Sequence, residues 1–408
     1  MKRIMILGAS IVQTPLIEQS IKAGYETIVV SPDLSAPGHS LANTNIRLDV
    51  RDKDGVLKTA RSHRVDGITT DQTDVAVRTV AYVAEKMGLP GIGYETALLF
   101  TDKYLMREKC KSLGIKTLEY RLCNSLDDAI DFFEEIGTGV AVKPVDNQGS
   151  RGVSLVKNMA ELVDAYDEAK GFASDGRVLV EEFMHGQEFV VDGIAYDHQF
   201  ENLILGDYIF FDLPNVFAAS RLHFPSKANP DIVSKVGELN KKIITGFGLS
   251  QGRTHSEFIA DGNDIALVEV AARGGGVFNS SDLVPLSTGV SSEAFLLNIA
   301  LGVQSGFPEI KKGLCTCCYR SFFLPEGEVV SIEGVDEINS YPFTHRNNLC
   351  ELYIGKKIAG NSDKTSRFFV IVSAKTHDEL DLHVNMVKEA LSIKVFSQTH
   401  GHRDPIWD

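Results

Sequence analysis

The stretch Gly252-Arg253-Thr254-His255-Ser256-Glu257-Phe258-Ile259-Ala260-Asp261-Gly262-Asn263-Asp264-Ile265-Ala266-Leu267-Val268-Glu269-Val270-Ala271-Ala272-Arg273-Gly274-Gly275-Gly276 reads as a β-hairpin. Thr254–Ile259 and Ile265–Val270 are β-rich runs, and Asp261-Gly262-Asn263 between them is a turn. Each arm carries one glutamate, Glu257 or Glu269, inside an apolar run. A charge in such a run costs free energy unless it is paired or bound to metal. Two carboxylates brought side by side also repel each other. A Mg²⁺ between them resolves both problems, because it takes few carboxylates and shares phosphate oxygens. Arg273 follows at the mouth of a run of glycines, which places a guanidinium beside a flexible anion-holding loop. The plainer alternative is an outward-facing pair on a half-exposed hairpin; the aliphatic residues around both glutamates argue against it.

Upstream lies a second charged element. Val142-Lys143-Pro144 ends a strand, the loop Asn147-Gln148-Gly149-Ser150-Arg151-Gly152 follows, and Val153–Val156 is the next strand. A lysine at a strand end reaches a phosphate as a point charge. Glycines let backbone N–H groups approach phosphate oxygens without Cβ interference. The order of a Walker loop is missing, so the element reads as a β-loop-β phosphate clamp, with the 145–152 loop as its lid, or as a plain surface hairpin. Val180-Glu181-Glu182-Phe183-Met184 ends the next strand. Backbone groups at such a strand exit offer a purine both an acceptor and a donor, and Glu181 adds a carboxylate. Glu188 is placed to accept from ribose hydroxyls. The bland reading of both glutamates is a solvated strand edge.

The first 95 residues alternate strand-like and helix-like segments. Lys2–Leu7, Thr27–Val30 and Gly67–Thr70 read as strands, and Thr14–Ala23 and Asp74–Lys86 as helices. Such alternation implies a parallel sheet with helices on both faces. Gly8-Ala9-Ser10 lacks the full dinucleotide fingerprint and reads as a tight turn. Further helices are expected at Asp102–Leu113, Ser125–Ile136, Met159–Ala169, Pro230–Phe247, Ser291–Leu301 and His377–Leu391, with Ser125 as an N-cap. Beyond residue 310 three β-rich runs are expected, and the tail Thr399–Asp408 reads as irregular.

The 408 residues suggest two or three domains. Hydrophobic residues make up 43% and charged residues 24%, as in an ordinary globular protein. A net charge of −14 repels phosphate backbones, so nucleic acid is not expected as a partner. No run is apolar for long enough to form a signal peptide or cross a bilayer. The six cysteines lack a disulfide-scaffold spacing, and a cytoplasmic location with reduced thiols is expected. Cys315, Cys317 and Cys318 have no finger-type partners nearby and read as part of a buried strand.

Taken in order, Thr101-Asp102-Lys103, Val142-Lys143-Pro144, Gly149-Ser150-Arg151-Gly152, Glu181-Glu182-Phe183-Met184, Glu188, Glu257 and Glu269-x-x-x-Arg273 resemble the ATP-grasp superfamily. Within it, Gly252-Arg253-Thr254-His255-Ser256-Glu257 and the Ser321–Ile338 run are similar to the carboxylate–amine ligase branch that includes the L-amino-acid ligases. The resemblance implies an α/β chain: a doubly wound parallel-sheet domain followed by a two-lobed, α+β ATP-grasp fold. It divides the chain into a pre-ATP-grasp domain at 1–95, an ATP-grasp domain at 96–305 with a small lid lobe at about 114–187, and a C-terminal lobe at 306–408.

It further implies that Lys103, Lys143 and the loop Gly149, Ser150, Arg151 and Gly152 hold ATP phosphates. Glu181, the Glu182 backbone and Met184 would hold adenine, and Glu188 ribose. Glu257 and Glu269 would bind Mg²⁺, or Mn²⁺ in its place. Arg273 would face the substrate carboxylate or its acyl phosphate, and His255 would line the acceptor pocket. Ala271 stands where many members carry a further metal-ligating Asn, which leaves the number of metal ions open. The implied reaction joins a small carboxylate to an amine, giving ADP and phosphate, with both substrates small molecules. A homodimer is compatible with this reading. The alternatives are a carboxylating or carbamoylating enzyme of the same fold and a non-catalytic ATP-binding regulatory module.

Overall fold

The computed structural model describes residues 1–213, 216–311, 313–360 and 367–408. They form two compact units. The first comprises Met1–Leu203, Asn229–Ser281 and Ser291–Pro308; the second comprises Ile204–Ala228, Asp282–Val290 and Glu309–Asp408. Among the described residues no single helix is long and apolar enough to cross a membrane.

The first unit begins with a four-stranded parallel sheet in the order Thr44–Arg47, Glu26–Ser31, Arg3–Leu7, Gly67–Thr69. Its two central strands are apolar over most of their length. Ile4, Met5, Ile6, Leu7, Ile28, Val29 and Val30 are all fully buried, as a sheet covered on both faces requires. The strand Thr44–Arg47 and the helix Lys53–His63 are additional to the expected elements; that helix is capped by Asp52, which accepts from the Gly55 N–H. The third helix runs over Val77–Met87 rather than from Asp74, with a turn at residues 75–76 before it, and it ends at Gly88 with φ 66°.

A four-stranded antiparallel sheet follows, in the order Tyr120–Cys123, Val178–Glu182, Val140–Pro144, Ser154–Val156. The helices Leu126–Ile136 and Met159–Phe172 supply Ala129, Phe132, Leu162 and Tyr166 to its core. Ser125 caps the first helix, and Asp128 reaches back to complete a capping box. The same unit then holds the antiparallel strands Gln187–Tyr196, Gly252–Asp261 and Asp264–Ala271 and the helix Pro230–Gly246. The strand Gln199–Phe210 carries the chain from the first unit into the second.

In the second unit the strands Ala219–Phe224, Thr316–Phe323, Arg367–Ala374 and Thr344–Asn347 pair antiparallel in that order. The helix His377–Ala390 and a smaller sheet share its core of Phe322, Phe368, Val370, Ile393 and Trp407. The unit has more strands than the three expected runs. Cys317 and Cys318 are fully buried on the strand Thr316–Phe323. The tail is ordered, contrary to expectation. Gly401–Arg403 pairs with the strand Ser392–Ser397, Trp407 packs on Phe322 with ring centroids 4.5 Å apart, and Asp408 accepts from Arg320 at 2.7 Å. Single anchors hold it, so it shows no apolar period.

His223 sits buried in this unit with its ring stacked on His377, centroids 5.0 Å apart. Burial, followed by the Lys227 and His377 charges, pushes its pKa down to about 4 from 6.5. Between those values the unfolded chain binds a proton that the folded chain does not, so stability falls as pH drops from 6.5 to 4. The full window corresponds to about 3 kcal/mol. Melting temperatures measured across it should fall more steeply for the wild type than for His223→Gln; parallel profiles would remove His223 as the cause.

Candidate functional site

The hairpin turns through Gly262-Asn263, with Asp261 opposite Asp264 and Gly262 at φ 56°. From the turn the register runs regularly to Phe258 opposite Leu267. There it slips by one residue. Val268 is bulged out, and Glu257 comes to lie directly opposite Glu269. Without the bulge Glu257 would face Val268, and Glu269 would point to the other side of the sheet, since side chains alternate with period two. On the neighbouring strand Glu188 pairs with Ile259, and Asp192 with His255. One face of the sheet therefore carries Glu188, Asp192, Arg253, His255, Glu257 and Glu269.

Cations surround this acidic face. Asp102 caps the helix Lys103–Ser112 and so sets Lys103 in its first turn. Lys103 Nζ donates to Glu269 Oε1 at 2.8 Å and to the Asn147 carbonyl at 2.9 Å. One turn later Arg107, fully buried, grips Glu181 through Nε and Nη2 at 2.5 and 3.2 Å and donates to the Val268 carbonyl at 2.7 Å. Lys143 also pairs with Glu181. Burial alone would raise the Glu181 pKa, but Arg107 and Lys143 outweigh it and hold the carboxylate down at about 2. Burial likewise lowers the Lys143 pKa, against the pull of Glu181.

His255 stands between two acids. Its Nδ1 lies 3.0 Å from Asp192 Oδ2, and its Nε2 3.4 Å from Glu257 Oε1. Burial opposes its charge, yet Asp192 and Glu257 raise its pKa to about 9, so the ring is an imidazolium at neutral pH. Glu188 is the reverse case. Burial, with Glu257 next, pushes it up to about 8 despite Lys143. Glu257 and Glu269 keep 24% and 26% of their side-chain surface exposed, so both are reachable by a solute.

Arg273 is engaged within the chain. Its Nε and Nη2 donate to the two Asp74 oxygens at 2.9 and 2.7 Å, and its Nη1 to the Gly274 carbonyl at 3.0 Å. The glycine loop behind it differs from expectation. Gly274 N–H donates to Asp71 Oδ1 at 2.8 Å, and Gly275 N–H to Asp192 Oδ1 at 2.9 Å. These N–H groups serve buried carboxylates of the protein rather than an anion. The glycines are required by close approach: a Cβ on Gly274 would lie 2.2 Å from Ser280 Oγ, and one on Gly275 2.7 Å from His255 Nδ1. In the loop between the strands Val140–Pro144 and Ser154–Val156, Gly149, Ser150 and Gly152 are all at positive φ, and Gly149, Ser150 and Arg151 are exposed. Glu182 and Met184 are half-buried at the strand exit, where the Glu182 N–H donates to the Glu119 carbonyl.

The structure thus brings Lys103, Lys143, Glu181, Glu188, His255, Glu257, Glu269 and Arg273 into one charged neighbourhood. Sequence reasoning passed over Arg107, Asp192, Arg253 and the Asp71–Asp74 segment. Arg107 had a signal, since it shares the apolar helix face of Met106 and Cys110. Arg253 alternates in phase with His255 and Glu257 and is buried near Asp71 and Asp192, at 3.6 and 3.8 Å.

The model of the ATP-grasp domain family matches residues 136–281. This segment is an ATP-grasp domain. Alanine–anticapsin ligase of Bacillus subtilis is 26% identical over 283 residues, covering 62% of this chain and 58% of that protein. Formate-dependent phosphoribosylglycinamide formyltransferase of Wolinella succinogenes is 26% identical over 256 residues, covering 58% of this chain and 63% of that protein. The chain therefore spans less than two thirds of these relatives. The L-amino acid ligase of Bacillus licheniformis shares the fold, with a TM-score of 0.81 over 96% of this chain and 98% of that one at 20% identity.

The close approach at the glycine loop is testable. Gly274→Ala should lose about 1–3 kcal/mol through overpacking. Gly276→Ala, whose Cβ meets no atom within 4 Å, should be nearly neutral. Denaturant unfolding of the two variants should separate them, and equal midpoints would contradict the packing described.

Proposed function

We propose that the chain is an ADP-forming ligase that activates a small carboxylate as an acyl phosphate and joins it to an amine. The observation that carries this reading is the facing pair Glu257 and Glu269, flanked by Lys103, Lys143 and Arg273. Such a juxtaposition of paired carboxylates and clustered cations suits a nucleotide triphosphate with its divalent ion. In this proposal Lys103, Lys143 and the Gly149–Gly152 loop hold the phosphates. Glu181, the Glu182 backbone and Met184 hold adenine, and Glu188 the ribose hydroxyls. Glu181 already orders Lys143 and Arg107, so a purine amino group shares an acceptor that both cations steady.

The residues fit Mg²⁺ or Mn²⁺. Two partly exposed carboxylates face each other, and their crowding is felt as far as Glu188, whose proton is held partly by the Glu257 charge. The bound ion supplies charge neutralisation for the transferring phosphoryl group. Lys103, Lys143 and Arg273 stabilise the charge that develops on its oxygens. The amine then attacks the acyl carbon and phosphate leaves, with the 145–152 loop keeping water out. The relatives' names couple the reading to small carboxylates, alanine in one and formate in the other. In this proposal residues 1–95 form the pre-ATP-grasp domain, 96–305 the ATP-grasp domain with its lid lobe at about 114–187, and 306–408 the completing lobe. The six free cysteines fit a reducing cytoplasm.

ADP release measured across pairs of small carboxylates and amines, with mass spectrometry of the product, tests this directly. Nucleotide binding without release for any pair would leave a regulatory module instead. Glu269→Gln should lower turnover by about 100-fold or more, as expected for loss of a charge at the reacting phosphoryl group. Activity near wild type at saturating Mg²⁺ would remove the metal assignment. Lys143→Ala should weaken ATP binding in calorimetry more than it raises the carboxylate KM; unchanged nucleotide affinity would contradict the clamp.

A further inference from the structure

Four consecutive side chains, Asp71-Gln72-Thr73-Asp74, each reach a different part of the site. Asp71 accepts from the Gly274 N–H and from Ser280 Oγ at 2.8 and 2.6 Å. Gln72 donates to the Val12 carbonyl and accepts from the Phe278 N–H, at 2.9 and 3.3 Å. Thr73 Oγ1 exchanges hydrogen bonds with the Gln148 amide, and Asp74 forks onto Arg273. The Asp74 N–H donates to Gln148 Oε1 at 2.6 Å. The backbone around these contacts is strained: Gln72, Val277 and Phe278 all sit at positive φ without being glycine. Such conformations persist only where the surroundings over-determine them.

Gln148 lies on the phosphate loop, one residue before Gly149. We propose that Gln148 and Asp74 are positioning residues of a single link, in which the phosphate loop seats Asp74 through Gln148 and Asp74 sets the Arg273 guanidinium. Nucleotide held under the loop then fixes the arginine before the second substrate arrives. The geometry leaves the two halves of the link in series. Gln148 touches Thr73 and the Asp74 backbone, whereas Arg273 is held by the Asp74 carboxylate. The Arg273 fork faces Asp74, so the carboxylate substrate meets the arginine in the orientation that Asp74 imposes. Asp74 and Gln148 act through Arg273 and the loop.

The part of the link that joins nucleotide to Asp74 stands independently of the ligase reading; its effect on carboxylate kinetics rests on that reading. Hydrogen exchange of the Asp74 amide, followed with and without a non-hydrolysable ATP analogue and Mg²⁺, reads the first part. Exchange should slow on nucleotide binding in the wild type and in Gln148→Glu, which keeps the Oε1 acceptor, but not in Gln148→Ala. Equal slowing in Gln148→Ala, at matched nucleotide saturation, overturns the link, as does no slowing in a wild type that binds the analogue. A wild type that does not bind the analogue overturns the link and the nucleotide site together.

Steady-state kinetics read the second part. Gln148→Ala and Asp74→Asn should each raise the carboxylate KM about tenfold, with the ATP KM within about twofold of wild type. The double variant should be no worse than Asp74→Asn alone, because the contacts act in series. Multiplying effects, or a change confined to the ATP KM, would overturn the serial link. A thermal melt accompanies each variant, since a merely structural role would move the melting point and both KM values together. If no carboxylate–amine pair turns over while the exchange result holds, the ligase reading fails and the nucleotide-to-Asp74 contact remains.

Discussion

Like charges held at close range are the constraint around which the first unit is organised. Glu257 and Glu269 face each other across one hairpin, and Glu188 lies diagonally next to them. An isolated arrangement of this kind is unfavourable in a half-buried setting, where screening by water is weak. The surrounding residues answer it in graded fashion. Lys103 pairs with Glu269, His255 holds an extra proton beside Glu257, and Glu188 keeps its own proton to about pH 8. Acid and base assignments thus diverge among chemically similar groups according to what each one touches.

A second layer holds the first in place. Asp71 and Asp192 are buried carboxylates that accept from successive backbone N–H groups of the glycine loop and approach the buried guanidinium of Arg253. Buried ionic networks of this kind stabilise little compared with an apolar core, but they permit few alternative geometries. Their effect is to hold the charged groups above them in fixed positions.

Much of this was legible in the sequence where the signal is local. The hairpin showed in two β-rich arms around Asp261-Gly262-Asn263, the helix Leu126–Ile136 in Ser125 and Asp128, and the parallel sheet in the alternation of apolar strands with helices. What stayed hidden depends on partners far apart in the chain. The triple glycine reads as an anion nest until the carboxylates of Asp71 and Asp192 are seen beneath it. Arg273 reads as a guanidinium without a protein partner until Asp74, distant in sequence, is seen across from it. The tail reads as irregular because Trp407 and Asp408 act as single anchors, and a single anchor leaves no periodicity. No residue pattern within one segment encodes a contact whose other half lies in another.

The slip at Val268 has an arithmetical consequence. In a hairpin closed by a two-residue turn between Asp261 and Asp264, facing positions always combine one odd and one even residue number. Glu257 and Glu269 are both odd, so a strict ladder could never set them opposite each other. The single unpaired residue changes the parity of the outer half of the hairpin, and Arg107 secures it by bonding to the Val268 carbonyl. Insertions and deletions in this hairpin are therefore unequal in effect. Changing the arm between turn and slip by one residue would separate the carboxylates onto opposite faces, whereas a matched change in both arms would carry the pair along the strand intact. The spacing between the two acids is a counting rule as much as a chemical one.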